Sequence, residues 1–385
     1  MPVTDHTEAL RGKKILFVFA SLDLGGAERR GILLADYLQK RLGALVHIVG
    51  LSEKPGRLSQ LCEQLGLKWS GVPFHWGARR RLPSLLRAVF AIRSAAPDIV
   101  LSYTRVPNLV CAWGWKWIGA KALVWNQADE GLLLTDALPY RIAAGVPTCF
   151  ISNSTGGRKF LLDTYGVPPA KVHLVRNGVA LAAPCADRGE WRKQWGVHPN
   201  ALVAGMVANL SIYKDHETLL RAWSRVVSEY HWESEPLLVL AGRCDGVETR
   251  LTGLALELGI QNRVKILGPV DDVAGLLGAI DLFAYSSKSE GLPNGVLEAM
   301  AAGLPVVGTD IPGIREALGS QGEGYLSPVG DSTDLAKKIV MLLQDQQLRK
   351  TLGQSLQMRI EKEFSLGKMC SSTAELISLS LKQAR

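Results

Sequence analysis

The chain has 385 residues, 47% of them hydrophobic and 21% charged, and this composition excludes an intrinsically disordered protein. The length exceeds one ordinary core and predicts two domains of roughly 150–200 residues each. The net charge of +8 is divided unevenly. Residues 1–178 carry 23 Lys and Arg against 12 Asp and Glu, a net +11, whereas residues 179–385 carry 21 against 24, a net −3.

The first half repeats one pattern, in which a short apolar run ends in a glycine or polar residue and an amphipathic helix follows. This alternation predicts a parallel sheet covered by helices. Helices are predicted over residues 26–42 and from near Pro83. The predicted strands are residues 14–20, 46–51, 99–103, 122–126, 148–152 and 172–176.

The same pattern begins again in the second half, with a helix from about His216. The predicted strands are residues 201–207, 237–241, 264–267, 282–285 and 305–308. Residues 177–200 contain Pro184 and Pro199 with little regular periodicity, which predicts a linker. The fold class is therefore α/β, with two Rossmann-like, doubly wound parallel-sheet domains, residues 1–178 and 179–369, facing across a cleft. A C-terminal helix, residues 370–385, is expected to cross back and complete the first domain.

Several features argue against export and metal binding. Residues 1–14 lack the apolar segment of a secretory signal, and the apolar stretch 109–125 is interrupted by Lys116 and Lys121, which predicts a cytoplasmic chain without a spanning helix. The cysteines form no Cys-x-x-Cys pair, so we expect reduced core residues and no metal site. They are Cys62, Cys111, Cys149, Cys185, Cys244 and Cys370.

Basic residues are densest at Arg79-Arg80-Arg81, followed by Arg87 and Arg93 on the predicted helix near Pro83. A solvated helix face explains this pattern. The functional alternative is attraction to anionic lipid headgroups or to an acceptor that bears phosphate. Tryptophans in the stretch 109–125 also suit a membrane interface, although a buried helix followed by a strand accounts for them. No nucleic-acid-binding motif accompanies the charge, so nucleic acid is not expected as a partner.

The most informative stretch is Ser-Glu-Gly-Leu-Pro-Asn-Gly-Val-Leu-Glu-Ala-Met, residues 289–300. A strand ends before it, and Pro293 suits the first turn of the helix that follows. Asn294 and Glu298 share one helical face, and Glu290 precedes the same helix end. Helix-start amides attract anions and carboxylates accept hydrogen bonds from sugar hydroxyls, so the arrangement fits a diphosphate flanked by two polyols. For two glutamates at this spacing alone, solvated surface residues would be the simpler interpretation.

Two further loops suit phosphate binding. Asp215 is a plausible N-cap, which places Lys214 beside a helix start, where a compact ammonium could neutralise a departing diphosphate. Gly25 and Gly26 follow the first strand and would allow close approach of a phosphate or sugar. These glycines do not form the Gly-x-Gly-x-x-Gly motif, which counts against a dehydrogenase.

Four matches make the sequence resemble a family-4 retaining glycosyltransferase of the two-Rossmann-domain (GT-B) class, of the kind that builds bacterial surface polysaccharides and lipopolysaccharide. The matches are Gly25-Gly26-Ala27-Glu28, Asn177-Gly178-Val179, Lys214, and the pair Glu290 and Glu298. The resemblance covers nearly the whole chain. It implies an N-terminal acceptor domain and a C-terminal domain that binds the nucleotide sugar.

By this resemblance, Glu290 contacts the donor sugar and acts with Lys214 as a catalytic residue, while Glu298 contacts the ribose. The implied donor-binding residues also include Gly25, Gly26, Asn209, Gly291, Leu292, Asn294 and Arg243. The family often has Arg five residues before the lysine, where this chain has Asn209, so Arg243 is the candidate to supply that charge. On the acceptor side, Gln127 aligns with a frequent His, and Asp129 and Glu130 compete with it.

The sequence contains no convincing Asp-x-Asp metal site, since Asp271-Asp272 more simply precedes and caps a helix, and this predicts metal-independent activity. The resemblance implies transfer of a hexosyl group, with no cofactor and a UDP-sugar as the expected donor. The expected acceptor is a glycan or a lipid-linked molecule, and the expected location is the cytoplasm or the inner face of the plasma membrane. The departing phosphate would accept the acceptor proton. Two alternatives stay open: a nucleotide-sugar 2-epimerase of the same fold, and a sugar-nucleotide-binding protein that has lost catalysis.

Overall fold

The computed structural model describes residues 8–131, 134, 137–181 and 183–383, without the side chains of Ala78 and Arg79. The predictions for residues 1–7, for the Arg79 side chain and for the last two residues of the C-terminal segment lie outside this description. The chain divides into two compact units. The first unit is Met1–Gly178 with Leu366–Arg385, and the second unit is Val179–Ser365.

In the described part of the first unit, seven strands form a parallel sheet in the order β3-β2-β1-β4-β5-β6-β7. The strands are β1 (Lys14–Phe19), β2 (Leu45–Gly50), β3 (Lys68–Gly71), β4 (Ile99–Tyr103), β5 (Ala122–Gln127), β6 (Cys149–Ser152) and β7 (Val172–Leu174). The helices are α1 (Gly26–Leu42), α2 (Arg57–Leu65), α3 (Ala78–Ser94), α4 (Arg105–Trp113), α5 (Trp115–Ile118), α6 (Leu138–Ala144) and α7 (Thr155–Tyr165).

Strand β1 is central because nearly every residue in it is apolar. Ile15 lies opposite Val46 on one side and Ile99 on the other. Alternate side chains enter separate cores on the two sheet faces, one with Phe17 and one with Leu16. Burial on both faces is what the continuous apolar run in the sequence predicts for a parallel strand.

In the described part of the second unit, six parallel strands follow the order β10-β9-β8-β11-β12-β13. They are β8 (Val203–Val207), β9 (Leu237–Ala241), β10 (Val264–Gly268), β11 (Leu282–Tyr285), β12 (Val306–Thr309) and β13 (Leu326–Ser327). The helices are α8 (Arg188–Trp195), α9 (His216–Glu229), α10 (Glu248–Glu257), α11 (Val273–Ala279), α12 (Asn294–Ala301), α13 (Pro312–Leu318), α14 (Ser332–Gln344) and α15 (Gln346–Glu363).

Every strand predicted from the sequence is present within two residues at each end, which confirms the two parallel-sheet domains. The short edge strands β3 and β13 were missed, because Lys-Trp-Ser-Gly lacks an apolar run and β13 has two residues. Each sheet reverses its strand order at its first strand, between β1 and β4 and between β8 and β11. Ligands of such sheets bind beyond the carboxyl ends of the strands at this switch point.

The segment 177–200 is not wholly irregular as predicted, because it contains α8. Asp187 caps this helix by accepting the backbone N–H of Glu190, and the Glu190 side chain accepts the N–H of Asp187. This capping box is a strong local start signal in a segment too short for periodicity to show. The helix packs on α11 of the second unit.

The last helix, α16 (Leu366–Gln383), belongs to the first unit and begins four residues before the expected position 370. Its buried residues Met369, Ala374 and Ile377 join the core beneath α1. Ser380 Oγ lies 2.7 Å from Thr148 Oγ1, next to β6. The C-terminal helix therefore covers one face of the first sheet.

The Arg192 side chain on α8 is 93% buried and holds together several segments of the second unit. It donates to the carbonyl oxygens of Pro199 and Ala201 (both 2.9 Å) and Ala279 (3.0 Å), and to Asp281 Oδ2 at 2.6 Å. We expect Asp281→Ala to lower the free energy of unfolding by about 3–5 kcal/mol, because it leaves a buried cation without its counter-charge. Urea unfolding measures this change.

The control for that prediction is Arg225→Ala, which removes the Arg225–Glu229 pair from an exposed helix surface. Exposed pairs contribute about 0–1 kcal/mol. An Asp281→Ala variant as stable as this control would contradict the anchoring role.

The cysteines are unpaired, and four are buried as expected. The prediction that all are core residues is wrong for Cys185, which is exposed, and for Cys244, which is half-buried. Burial raises the pKa of Cys62 to about 11 and that of Cys149 to about 12. Separately, no helix in the described part of the chain combines the length and apolar character needed to cross a bilayer.

Candidate functional site

The loops that follow β8 and β11 meet at the carboxyl edge of the second sheet. The backbone N–H of Asp215 donates to Ser286 O at 3.2 Å, and Ser286 Oγ donates to Asp215 O at 2.7 Å. Lys214 and Ser287 form an antiparallel bridge beside these bonds. The two loops are therefore held in register, although 71 residues of chain separate Asp215 from Ser286.

Within this edge, Lys214 and Glu290 form an ion pair through Lys214 Nζ and Glu290 Oε1. Two other donors reach the same carboxylate oxygen, the Tyr285 hydroxyl at 3.0 Å and Ser287 Oγ at 2.8 Å. Lys214 Nζ also lies 2.9 Å from the Tyr285 hydroxyl. Among the described residues no donor contacts the other oxygen, Oε2. The side chains of Lys214 and Glu290 keep 18% and 13% of their surface exposed, so both groups still reach solvent.

Tyr285 is the centre of this cluster. Burial raises its pKa well above the ordinary value, and the charges of Glu290 and Glu298, with the hydrogen bond to Glu290, raise it further. The phenol therefore stays protonated and donates to Glu290. The structure therefore brings Lys214 and Glu290 together at Tyr285, and the 92% buried Glu298 is near enough for its charge to raise the pKa of the same phenol.

Backbone packing sets the position of the Glu290 loop. A Cβ atom at Gly313 would lie 1.6 Å from Gly291 O and 2.7 Å from Glu290 O. The backbone of α13 therefore packs directly against the backbone of the loop, and only a residue without a side chain fits there. A Cβ at Gly295 would lie 2.3 Å from Val207 O, so α12 also packs closely on β8. Leu292 is buried beneath the loop.

Pro293 is the N-cap of α12 rather than a residue of its first turn, so the helix begins at Asn294. The helix begins one residue after Pro293 because the extended backbone of Pro293 (ψ 117°) is not helical. Asn294 and Glu298 remain one helical turn apart on α12, as the spacing predicts.

Asn209 and Arg243 lie on neighbouring loops, joined by a hydrogen bond of 2.8 Å from the Leu210 N–H to Arg243 O. The Arg243 side chain binds Asp245 through two nitrogens, at 2.7 and 3.3 Å. Arg243 is therefore adjacent to the Asn209 loop, and its charge is balanced by a neighbouring carboxylate. Gly242 allows the approach, because a Cβ there would lie 1.9 Å from Ala208 O.

In the first unit, Gly25 is the N-cap of α1 and Gly26 its first residue, as predicted. One turn later, the buried Arg30 donates from Nη1 to Asn177 Oδ1 at 2.8 Å and lies 5.6 Å from the centre of the Tyr103 ring. The Gly-Gly segment and the Asn-Gly-Val segment, distant in sequence, are thus connected through Arg30.

Gln127 is the last residue of β5, Asp129 lies in the loop that follows, and the two side chains bind each other. Gln127 Nε2 donates to Asp129 Oδ1 at 2.9 Å and to its backbone oxygen at 3.1 Å, while Gln127 Oε1 accepts from Trp125 Nε1. Asp129 Oδ1 also accepts the Gly131 N–H at 2.7 Å. Both side chains therefore shape this loop, and Gln127 is 98% buried.

Sequence reasoning missed Tyr285, Ser287, Gly313 and Arg30. A signal exists for both Tyr285 and Ser287. Tyr285 ends the otherwise apolar strand β11, and Ser287 lies two residues later in the loop that carries Glu290. Gly313 and Arg30 offered none, because their partners lie 22 and 147 residues away. Among the described residues, no group of three or more His, Cys, Asp or Glu is placed to bind a metal ion.

Asp215 occupies the predicted N-cap position of α9, but its Oδ2 accepts from the Thr218 hydroxyl at 2.7 Å instead of from a backbone amide. The next residue, His216, is 98% buried. Burial lowers its pKa to about 4; the charge of Lys214 also lowers it, whereas a hydrogen bond to the Lys214 backbone and the charge of Asp215 oppose the shift.

This shift predicts an acid-sensitive second unit. The unfolded chain protonates His216 near pH 6.5, whereas the folded chain does so only near pH 4. The contribution of neutral His216 is therefore complete above about pH 6.5 and is lost as the pH falls toward 4, by roughly 3 kcal/mol. Urea unfolding between these pH values should show a shallower loss for His216→Asn. The exposed His231→Asn should keep the wild-type slope; equal slopes for both variants would refute the assignment.

Two Rossmann-like parallel-sheet units in tandem are the architecture of the GT-B class of glycosyltransferases. Two family models match the chain: Glycosyltransferase Family 4 over residues 24–183 and Glycosyl transferases group 1 over residues 187–358. Together the two models span most of both units. The chain belongs to the glycosyltransferases that these two models describe, Family 4 in its first half and group 1 in its second half.

Named relatives match part of the chain. N-acetyl-alpha-D-glucosaminyl L-malate synthase from Bacillus anthracis is 31% identical over 186 residues, covering 48% of this chain and 47% of that protein. The lipopolysaccharide core biosynthesis glycosyltransferase LpsE from Rhizobium meliloti is 31% identical over 166 residues, covering 43% and 46%. The chain thus matches about half the length of these relatives.

A solved structure extends the similarity to nearly the whole chain. HepE from Anabaena, crystallised in complex with UDP-glucose, superposes with a TM-score of 0.82 at 24% identity, covering 95% of this chain and 100% of that one. At this identity the similarity shows the fold, and it agrees with the two parallel-sheet units derived from the sequence.

Proposed function

We propose that the chain is a retaining, metal-independent hexosyltransferase that takes its sugar from a nucleoside diphosphate donor. The contacts of Lys214 and Glu290 with each other and with Tyr285 are the observation that supports this proposal most directly, and the helix that follows, α12, carries the buried Glu298. A cation beside two carboxylates at a switch point suits a ligand that is anionic at its phosphates and polyhydroxylated at both ends. The complex of HepE with UDP-glucose supports a UDP-sugar as the donor.

In this proposal each group has one task. Lys214 binds the diphosphate as the C1–O bond breaks, and the helix-start amides near Leu292 and Asn294 share the developing charge. Glu290 accepts a hydrogen bond from a sugar hydroxyl through Oε2, while Tyr285 and Ser287 hold Oε1. Glu298 accepts from the ribose. The acceptor oxygen bonds to C1, and its proton passes to the departing diphosphate, so no separate base is required.

The ion pair between Lys214 and Glu290 has a consequence for donor binding. When phosphate approaches, Lys214 can turn toward it, because Glu290 keeps two neutral donors, Tyr285 and Ser287, on the same oxygen. The carboxylate is then stabilised without its cation. The ion pair therefore keeps both groups oriented at the sheet edge before the donor binds, and breaking it to bind phosphate costs little electrostatic energy because Glu290 keeps its two neutral donors.

We propose a glycan or lipid-linked acceptor, bound by the first unit through the loop of Gln127 and Asp129, in the building of a cell-surface polysaccharide. The relative named for lipopolysaccharide core biosynthesis supports this pathway class. The basic charge of residues 1–178 supports an acceptor that carries phosphate or lies at an anionic membrane, on the cytoplasmic side.

A panel of nucleoside diphosphate sugars, screened by thermal unfolding, tests the donor. A true donor at one hundred times its dissociation constant should raise Tm by about 5–10 °C, whereas sugars without the diphosphate should not. NMR of the product then reports the anomeric configuration, which we expect to match the donor, and the rate should be insensitive to EDTA.

Analysis of the reaction products also distinguishes the transferase from the epimerase and from a protein that only binds the nucleotide sugar. Conversion of the nucleotide sugar to its 2-epimer without any acceptor would replace the proposal with an epimerase. Tight donor binding with neither transfer nor hydrolysis would indicate a binding protein. An inverted product would contradict the retaining mechanism.

A further inference from the structure

Helix α3 exposes a row of large apolar side chains. Leu82, Leu86 and Phe90 recur every fourth residue, share one face, and are 65%, 41% and 67% exposed. Helix α3 packs on the first sheet through a different face, which carries the buried Ala88 and Ile92. In the described part of the first unit, the row therefore forms a second apolar face of α3 that stays open to solvent over about half of its surface or more at Leu82 and Phe90, and partly at Leu86.

The helices around this row carry only positive formal charge. In the sequences of α3, α4, α5 and α6 there are eight basic residues and no acidic one. The basic residues are Arg79, Arg80, Arg81, Arg87, Arg93, Arg105, Lys116 and Arg141. The described basic side chains on α3 flank the apolar row and are exposed.

Hydrogen bonds join these helices into one surface. Arg93 Nη1 on α3 donates to Trp117 O on α5 at 3.0 Å, and Trp113 Nε1 on α4 donates to Pro139 O on α6 at 3.2 Å. Near the start of α3, Arg81 lies 5.0 Å from the centre of the Trp76 ring. This α3–α6 surface adds three exposed apolar side chains to the row: Trp117, Leu138 and Ile142, each more than half exposed.

We propose that the α3–α6 surface docks the chain on an anionic lipid bilayer. Apolar side chains flanked by arginines on one helix are the pattern of a helix that lies in the membrane interface. The arginines would bind lipid phosphates while Leu82, Leu86 and Phe90 enter the headgroup boundary. Nucleic acid would use the charge but not the apolar row. The inference rests on the proposed function only where it places a lipid-linked acceptor in that bilayer.

Cosedimentation with vesicles of phosphatidylglycerol and phosphatidylcholine, compared with phosphatidylcholine alone, tests the proposal at low ionic strength. We expect binding to the anionic vesicles that weakens as salt is added. Two variants should each lower the partition coefficient by about tenfold or more: Leu82→Ser with Leu86→Ser and Phe90→Ser, and Arg80→Glu with Arg87→Glu.

Matched controls separate a specific surface from general stickiness. Leu256→Ser with Met358→Ser changes two side chains of the second unit that are 65% and 63% exposed. Arg41→Glu with Lys54→Glu makes the same charge change elsewhere in the first unit. Both controls should bind vesicles as the wild type does, and Tm should stay within a few degrees for all variants.

The proposal is overturned if the wild type does not bind the anionic vesicles, or if either α3 variant binds them as tightly as its control. Donor turnover without vesicles should be unchanged in the α3 variants. Since vesicle binding needs no donor, failure of the docking proposal would leave the transferase assignment standing, and failure of the transferase assay would leave docking standing.

Discussion

Replacement of Lys214 by alanine is expected to lower the rate of sugar transfer by about 10²–10³-fold, because one preorganised charge that stabilises the leaving diphosphate is lost. Lys214→Arg should recover little of this rate, since a planar guanidinium cannot reproduce contacts made by a compact ammonium beside Tyr285 and Glu290. Steady-state kinetics with the donor found by the thermal screen measures both variants.

Lys193→Ala, an exposed lysine on α8, is the matched control and should keep wild-type kinetics. Glu290→Gln is the companion test, because it removes the carboxylate charge and preserves the side-chain shape. Near-native turnover in either Lys214→Ala or Glu290→Gln would remove the basis of the proposed mechanism.

The second large effect is expected from Gly313→Ala, which lies outside the charged cluster. The added Cβ would lie 1.6 Å from Gly291 O, so the loop that holds Glu290 must move. A shift of about 1 Å in a catalytic group can cost about 10²-fold in rate, whereas overpacking itself costs roughly 1–3 kcal/mol of stability. Kinetics together with urea unfolding should therefore show an activity loss in a variant that still folds.

Gly253→Ala on α10 is the control, because a Cβ there meets no atom within 4 Å. We expect it to keep full activity and to gain up to about 1 kcal/mol from its helical propensity. Full activity in Gly313→Ala would show that the position of the Glu290 loop does not depend on this contact.

Local signals were sufficient where the chain determines its own conformation. Strand β1 could be predicted because a run of apolar residues is buried on both faces, and α1 because glycines bound it at both ends. Helix α8 was not predicted because its signal is a capping box rather than a helical periodicity of apolar residues. The edge strand β3 was not predicted because its residues are exposed or half-buried, and only the pairing with β2 makes them a strand.

The candidate site, like the fold, has features that local sequence predicts and features that it does not. Lys214, Glu290, Asn294 and Glu298 could be proposed as site residues because their spacing relative to strand ends and helix starts is a local property. Their mutual contacts were not predictable. The sequence indicated a lysine for phosphate and a glutamate for sugar, but not that the two bind each other while Tyr285 and Ser287 donate to the same oxygen.

The amino-acid sequence by itself determined the two parallel-sheet domains and the difference in net charge between the two halves of the chain, and it indicated the residues that carry the proposed chemistry. Composition and the local pattern of apolar, glycine and polar residues are enough for these. Only the tertiary structure decided that Gly313 supports the Glu290 loop, that Arg30 binds Asn177 and that Phe90 faces solvent. Those contacts join segments far apart in the chain, and whether a given side chain is buried or exposed depends on what the folded backbone packs against it.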